Sequence, residues 1–249
     1  MEFDFKNKVV LVSGGSRGIG FEISKMYLEC GAKVLLTYNK NFEKSMELLE
    51  YSKYKNYDLE IFKLDLNSLE SIYNFVGALN FKGIKNINIL VNNAGISDIN
   101  PIYFQSDEKI LSIINVNLTN TIILTKYILK DFMEENSKII NISSIWGEVG
   151  ASCEVVYSSS KGGINSFTKA LSKELAFSKI NVLGISPGII DTEMNEGLNS
   201  EEKLEIINSI PMKRIGKVED VVNAVKFFSK SSINITGEII SVDGGWNLI

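Results

Sequence analysis

Tyr157 and Lys161 stand four residues apart within Val155 to Phe177, a stretch whose apolar periodicity predicts a long helix. On a helix that spacing places both on one face. A tyrosine hydroxyl ordinarily titrates near pH ~10, too high for efficient proton transfer near neutrality. A neighbouring ammonium favours the phenolate and lowers that value. The pair is a candidate acid/base couple, although Tyr and Lys at this spacing also recur as a plain surface pair. The chain contains no histidine. That removes the Ser-His-Asp triad and every His-based zinc site. Acid/base work must come from Tyr, Lys, Cys, carboxylates or a bound cofactor.

The second candidate is the glycine cluster Ser13 to Gly20, S-G-G-S-R-G-I-G. Glycines allow unusual backbone angles and let a phosphate approach backbone N–H groups, with a helix N-terminus facing the anion. The spacing of Gly14, Gly18 and Gly20 is G-x-x-x-G-x-G, not G-x-G-x-x-G. Alone it reads equally as a tight strand-to-helix turn. Its place after the first strand of a β-α-β pattern favours a nucleotide.

The elements that must position these residues alternate. Strands are predicted at Lys8–Ser13, Lys33–Tyr38, Leu59–Leu64, Ile87–Val91, Lys138–Ile142, Ile180–Ile185 and Glu238–Val242. Between them lie helical patterns at Ile19–Glu29, Phe42–Tyr54, Ser68–Phe81 and Ile110–Met133. Val155–Phe177, Glu201–Ile210 and Val218–Ser229 complete the set. Gly31 is placed to stop the first helix and Ser68 to cap the third. Apolar strands alternating with helices predict an α/β fold: a doubly wound, Rossmann-like, mostly parallel sheet of about seven strands with helices on both faces. No linker or charge block divides the chain, so 1–249 reads as one domain.

Composition agrees. Hydrophobic residues are 45%, charged residues 22% and net charge −4, ordinary for a globular protein and unlike a nucleic-acid binder. Met1 to Lys8 lacks the apolar run of a signal peptide, and no apolar stretch is long enough to span a membrane. Cys30 and Cys153 do not make a disulfide framework. A cytoplasmic protein with no membrane and no nucleic-acid partner is expected.

Further motifs make a resemblance specific. Asn92-Asn93-Ala94-Gly95 follows the fourth strand and Asn117 lies in the next helix. Ser143-Ser144 closes the fifth strand, thirteen residues before Tyr157. Tyr157-Ser-Ser-Ser-Lys161 reads Y-x-x-x-K, Pro187-Gly188 precedes Thr192, and Asp243-Gly244-Gly245 lies near the end. In order and on the right elements, these resemble the short-chain dehydrogenase/reductase family along nearly the whole chain. The resemblance implies a nicotinamide-dependent oxidoreductase with Asn117, Ser144, Tyr157 and Lys161 as its catalytic set. Ser144 would hold the substrate carbonyl, with Ser143 as the rival serine. Tyr157 would donate the proton, and Lys161 would lower its pKa and bind the nicotinamide ribose. Asn117 would hold a relay water, or else satisfy a local helix irregularity.

The same resemblance implies a cofactor groove. Gly14, Ser16, Arg17, Gly18, Ile19 and Gly20 would cradle the phosphates, and Asn92, Ala94 and Gly95 would line the ribose. Asp65 would contact adenine, with Leu66 offering backbone; an Asp there also serves as a helix cap. Pro187, Gly188, Ile190 and Thr192 would close over the nicotinamide. The second strand ends at Tyr38, where NAD enzymes carry a carboxylate. With Arg17 and Lys40 nearby, NADP(H) is favoured, although both cations also suit a solvated surface. Residues 193–212 are expected to form a substrate lid, and Cys153 and Glu154 to face substrate.

Within the family the sequence looks most like bacterial 3-oxoacyl-[acyl-carrier-protein] reductases, through Pro211 to Gly216, Ile235 to Gly237 and the terminal D-G-G. That implies a carbonyl substrate carried on acyl carrier protein, or a small molecule, and a homotetramer. Lys126 with Lys130 and Lys169 with Lys173 are candidate basic pairs for an acidic carrier, although both read more readily as solvated helix faces. The apolar tail Trp246 to Ile249 suits a subunit interface. A dehydrogenase of a sugar, polyol or other secondary alcohol shares these motifs. A non-catalytic nucleotide sensor shares the fold.

Overall fold

The computed structural model describes residues 4–193, 199–230 and 234–248. Strand β1 (Val9–Val12) runs through the glycine turn into helix α1 (Gly18–Glu29), which ends where Gly31 takes φ +86°. Then come β2 (Lys33–Tyr38), α2 (Phe42–Lys55), β3 (Leu59–Lys63) and α3 (Leu69–Phe81). Ser68 does cap α3, accepting from the Ser71 N–H at 3.2 Å. The second half adds β4 (Ile89–Asn92), α4 (Asp107–Ile114), α5 (Asn120–Phe132) and β5 (Lys138–Ile142). After them come α6 (Trp146–Val149), α7 (Val155–Leu175), β6 (Asn181–Pro187), α8 (Ser200–Ser209), α9 (Val218–Ser229) and β7 (Ile239–Val242).

All neighbouring strands pair in parallel in the order β3-β2-β1-β4-β5-β6-β7. From β1 the chain winds outward through β2 and β3, then returns to place β4 on the other flank of β1. The order reverses between β1 and β4, and the loops at their carboxyl ends part to leave a crevice. Alternation along β1 divides the core. Val10 and Val12 join Ile23, Met26, Val221 and Val225 beneath α1 and α9. Leu11, on the opposite face, joins Phe75, Leu124, Ile128 and Leu175 beneath α3, α5 and α7.

The predicted helix Ile110–Met133 is interrupted. Residues 115–119 form a π-helical turn between α4 and α5, a feature that often marks functional sites. The helix α6 was absent from the predicted elements. Four residues are too few for periodicity to reveal. Of the expected lid, 194–198 lie outside the described residues. Beyond them Asn199 caps α8 in a reciprocal capping box with Glu202, and Ile210 is buried. Of the tail, Ile249 lies outside the described residues, while Trp246 packs edge-on against Trp146, ring centres 5.1 Å apart. Among the described residues no helix is long and apolar enough to cross a membrane.

Candidate active site

At the carboxyl end of the sheet a groove of about 590 Å³ follows the crevice. One end is the glycine turn. Gly14 has φ +64°, and a Cβ there would stand 2.8 Å from the Ala94 Cα. At Gly20 a Cβ would stand 2.4 Å from the Asn93 amide nitrogen and from the Gly14 carbonyl oxygen. The turn is held from across the crevice: Asn93 Nδ2 donates to the Ser13 and Gly14 carbonyls at 3.1 and 3.0 Å. Helix α1 has no side-chain cap at its N-terminus and no acidic residue in its first turn. Its first N–H groups are left for an anion, as a dinucleotide pyrophosphate requires.

Gly14, Ser16, Arg17, Gly18, Ile19 and Gly20 all line the groove, as do Tyr38, Lys40, Asp65, Leu66, Ala94 and Gly95. Pro187, Gly188, Ile190 and Thr192 form the opposite wall. Asp65 is not the cap of α3, which is Ser68; its carboxylate accepts from the Asn67 N–H at 2.8 Å.

Asn92 corrects an expectation. It does not line the groove. It is buried, and its amide donates to Asn141 and Thr125 at 2.8 and 2.9 Å, bracing β4 against β5 and α5. Its neighbour Asn93, which reaches the glycine turn, lines the groove instead. The N-N-A-G run alone gives no way to tell which asparagine faces which side.

The far end of the groove holds Ser144, Tyr157 and Lys161. Ser144 follows β5. Ser143 N–H donates to Ile185 and Ile145 N–H to the Pro187 carbonyl, fixing that loop to β6. The Ser144 side chain lies close enough to Tyr157 to lower its pKa, and its hydroxyl accepts from the Trp146 N–H at 3.2 Å. Ser143 instead donates to the Lys161 carbonyl at 3.3 Å and so supports α7. Both serines line the groove, and only the Ser143 hydroxyl is spent on the α7 backbone.

Lys161 is buried, and its ammonium donates to the Ile142 carbonyl at 2.9 Å. Burial lowers its pKa to about 8. Burial also pushes the Tyr157 hydroxyl up to about 12; the Ser144 side chain lowers it and the Glu154 charge raises it further. The expected lowering of Tyr157 by Lys161 is therefore not seen. The ammonium is turned to a backbone carbonyl, 5.6 Å from the Tyr157 ring centre. Dry surroundings dominate both groups.

Asn117 occupies the π-helical turn and stands behind the groove. Its Oδ1 accepts from the Ile96 N–H, and its Nδ2 donates to the Ile96 carbonyl and to Ser160. A methyl group added at Gly95 would lie 3.5 Å from both Asn117 Oδ1 and Lys161 Nζ, so the two side chains meet at that glycine. Neither Cys153 nor Glu154 lines the groove. Glu154 is held by Trp146, and burial raises its carboxyl pKa. Residues missed from sequence include Asn39, Asn41, Asn67, Ser112 and Glu193 on the groove wall. Ser112 sits on α4, on the groove side of its apolar stripe, and the others lie on loops or helix ends where no periodicity or motif singles them out.

Comparison with known proteins follows this geometry. A family profile described as short chain dehydrogenase matches residues 8–203. An uncharacterized oxidoreductase of Bacillus subtilis, YmfI, is 35% identical over 244 residues, covering 97% of this chain and 99% of that protein. The 3-oxoacyl-[acyl-carrier-protein] reductase FabG of Chlamydia trachomatis is 36% identical over 245 residues, covering 96% and 97%. A short chain dehydrogenase from Burkholderia cenocepacia, solved in complex with NADP, superposes with TM-score 0.89 at 26% identity, covering 99% of this chain and 100% of that one.

Proposed function

The chain belongs to the short chain dehydrogenase family, and from that premise we propose that it is an NADPH-dependent carbonyl reductase acting on 3-oxoacyl thioesters of acyl carrier protein. As a family member it is an NAD(P)-dependent oxidoreductase of the CH–OH/C=O class. Ser144 and Tyr157 together beside buried Lys161, at the end of a dinucleotide-sized groove, carry this reading. The NADPH preference is supported by the missing carboxylate at the end of β2 and by Arg17 and Lys40 on the rim. The substrate class is supported by similarity to the chlamydial reductase.

The bound cofactor would supply the hydride. The protein supplies the rest. Ser144, its hydroxyl fixed by the Trp146 N–H, orients the carbonyl oxygen beside Tyr157. Tyr157 holds its proton firmly and gives it to the oxygen as negative charge develops there. Lys161 would help hold the nicotinamide ribose and supply positive charge beside it, and Asn117 fixes the Ile96 backbone at the groove wall. A soluble homotetramer is part of this reading. The basic candidates for a carrier, Lys126, Lys130, Lys169 and Lys173, are all exposed and none lines the groove.

The test is NADPH oxidation against an acetoacetyl thioester, a sugar and a diketone, with Tyr157→Phe as control. We expect thioester reduction with NADPH preferred. In Tyr157→Phe, turnover should fall about 10²- to 10⁴-fold while NADPH still binds. Activity on a sugar or diketone without the thioester would reassign the substrate. NADH preference would overturn the cofactor assignment.

A further inference from the structure

We propose that Glu193 sets how strongly the groove discriminates between cofactors with and without a 2′-phosphate, because it holds Arg17, a cation such a phosphate would use. The inference rests on the groove binding a nicotinamide dinucleotide. Glu193 follows Thr192 directly and lines the groove together with Arg17, Tyr38 and Lys40. Its carboxylate pairs with Arg17 Nη1 at 3.6 Å and with Lys44 Nζ. Arg17 precedes α1 and Lys44 sits in the first turn of α2, so the two cations flank the end of β2. That strand end, Tyr38, brings no carboxylate of its own.

The charges then compete. A 2′-phosphate entering between Arg17 and Lys40 must displace Glu193 from Arg17 or accept its repulsion. A 2′-hydroxyl has no such conflict and can donate a hydrogen bond to the carboxylate. Glu193 therefore opposes the phosphorylated cofactor and assists the other. The carboxylate absent from the second strand is supplied instead by the loop after β6. Both ion pairs are about half exposed, with side-chain accessibility of 50% for Arg17 and 37% for Glu193. Such pairs contribute little to folding. Removing the charge should act on ligand choice and leave the fold intact.

The experiment uses two fragments of the cofactor, 2′,5′-ADP and 5′-AMP, titrated calorimetrically into wild type, Glu193→Gln and Glu193→Asp. The ratio of their affinities isolates the 2′-phosphate and needs no turnover. In Glu193→Gln the ratio should rise about fivefold in favour of 2′,5′-ADP, and the rise should shrink as salt is added. Glu193→Asp keeps the charge and should stay near wild type. An unchanged ratio in Glu193→Gln, or an equal shift in both variants, overturns the inference. The wild-type ratio separately tests the NADPH reading. A wild type that prefers 5′-AMP rejects that reading and leaves the effect of the substitution to decide the role of Glu193.

Discussion

Lys161 is a cation stored in a dry place. Burial holds its pKa at about 8 against an ordinary 10.5. The unfolded chain therefore binds this proton more tightly than the native one, and the native state bears the full cost of the charge below pH 8. Between pH 8 and 10.5 that cost is relieved, so through this group stability rises with pH. Cofactor-free Lys161→Met should thus be more stable than wild type at pH 7, by about 1–3 kcal/mol. The margin should narrow as pH climbs through 8 to 10.5. Urea unfolding at pH 7 and pH 9.5 measures both; a margin independent of pH would show that the charge is not the cause. Tyr157 titrates the other way. Its proton, held up to about 12, adds stability below pH 10 that is lost above it. Sequence could name this pair, because Y-x-x-x-K fixes the identities and the helical face. It could not give the sign of the Tyr157 shift. That depends on how much water α6, β5 and the loop after β6 exclude, and burial is a property of the packed chain.

At the scale of elements, the site depends on how closely α6 approaches α7. A Cβ at Gly147 would lie 2.6 Å from the Lys161 carbonyl carbon and 2.9 Å from the Gly162 nitrogen, both backbone atoms. Gly147→Ala should therefore push the two helices apart at Lys161. We expect kcat to fall at least tenfold, with a modest loss of stability of about 1–3 kcal/mol. Steady-state kinetics beside thermal unfolding separates the two, and unchanged kcat would mean that the helices adjust freely. The central strands were legible because they are apolar runs buried on both faces, and the edge strands β3 and β7, only partly buried, because apolar residues still dominate them. The break in the Ile110–Met133 pattern was not. A π-helical turn inserts one residue without disturbing the apolar face on either side, so Ile113 and Leu124 still point to the core. Asn92 and Asn93 show the same limit. Asn92 ends β4 opposite Asn141 of β5, whereas Asn93 lies just beyond the strand, and the run itself does not mark that boundary.

Across the whole molecule, the end of the chain closes over the beginning of the catalytic loop. Trp246 stacks edge-on against Trp146, while Ser241 Oγ and Asn247 Nδ2 donate to the Glu148 carboxylate at 3.4 and 3.2 Å. Trp146 in turn gives its backbone N–H to Ser144. Removing the C-terminal ring should loosen that hydroxyl and leave the glycine turn, at the other end of the groove, untouched. Trp246→Ala is expected to lower kcat several-fold and stability by about 1–2 kcal/mol, with NADPH affinity within about twofold of wild type. Fluorescence titration of NADPH alongside turnover checks this; a parallel loss of both would show that the tail supports the whole groove. Composition and charge set the class of molecule, but this long-range closure joins residues about a hundred positions apart and leaves no local trace.

The bond from Asn93 to the glycine turn also bears on how the protein is made. The turn is synthesised about eighty residues before the Asn93 amide that reaches the Ser13 and Gly14 carbonyls, which follows β4. A nascent chain ending before Asn93 can pair β1 with β2 and β3 yet has no finished cradle for an anion. Bound nucleotide is therefore expected to stabilise chiefly the chain in which the second half has docked on the first.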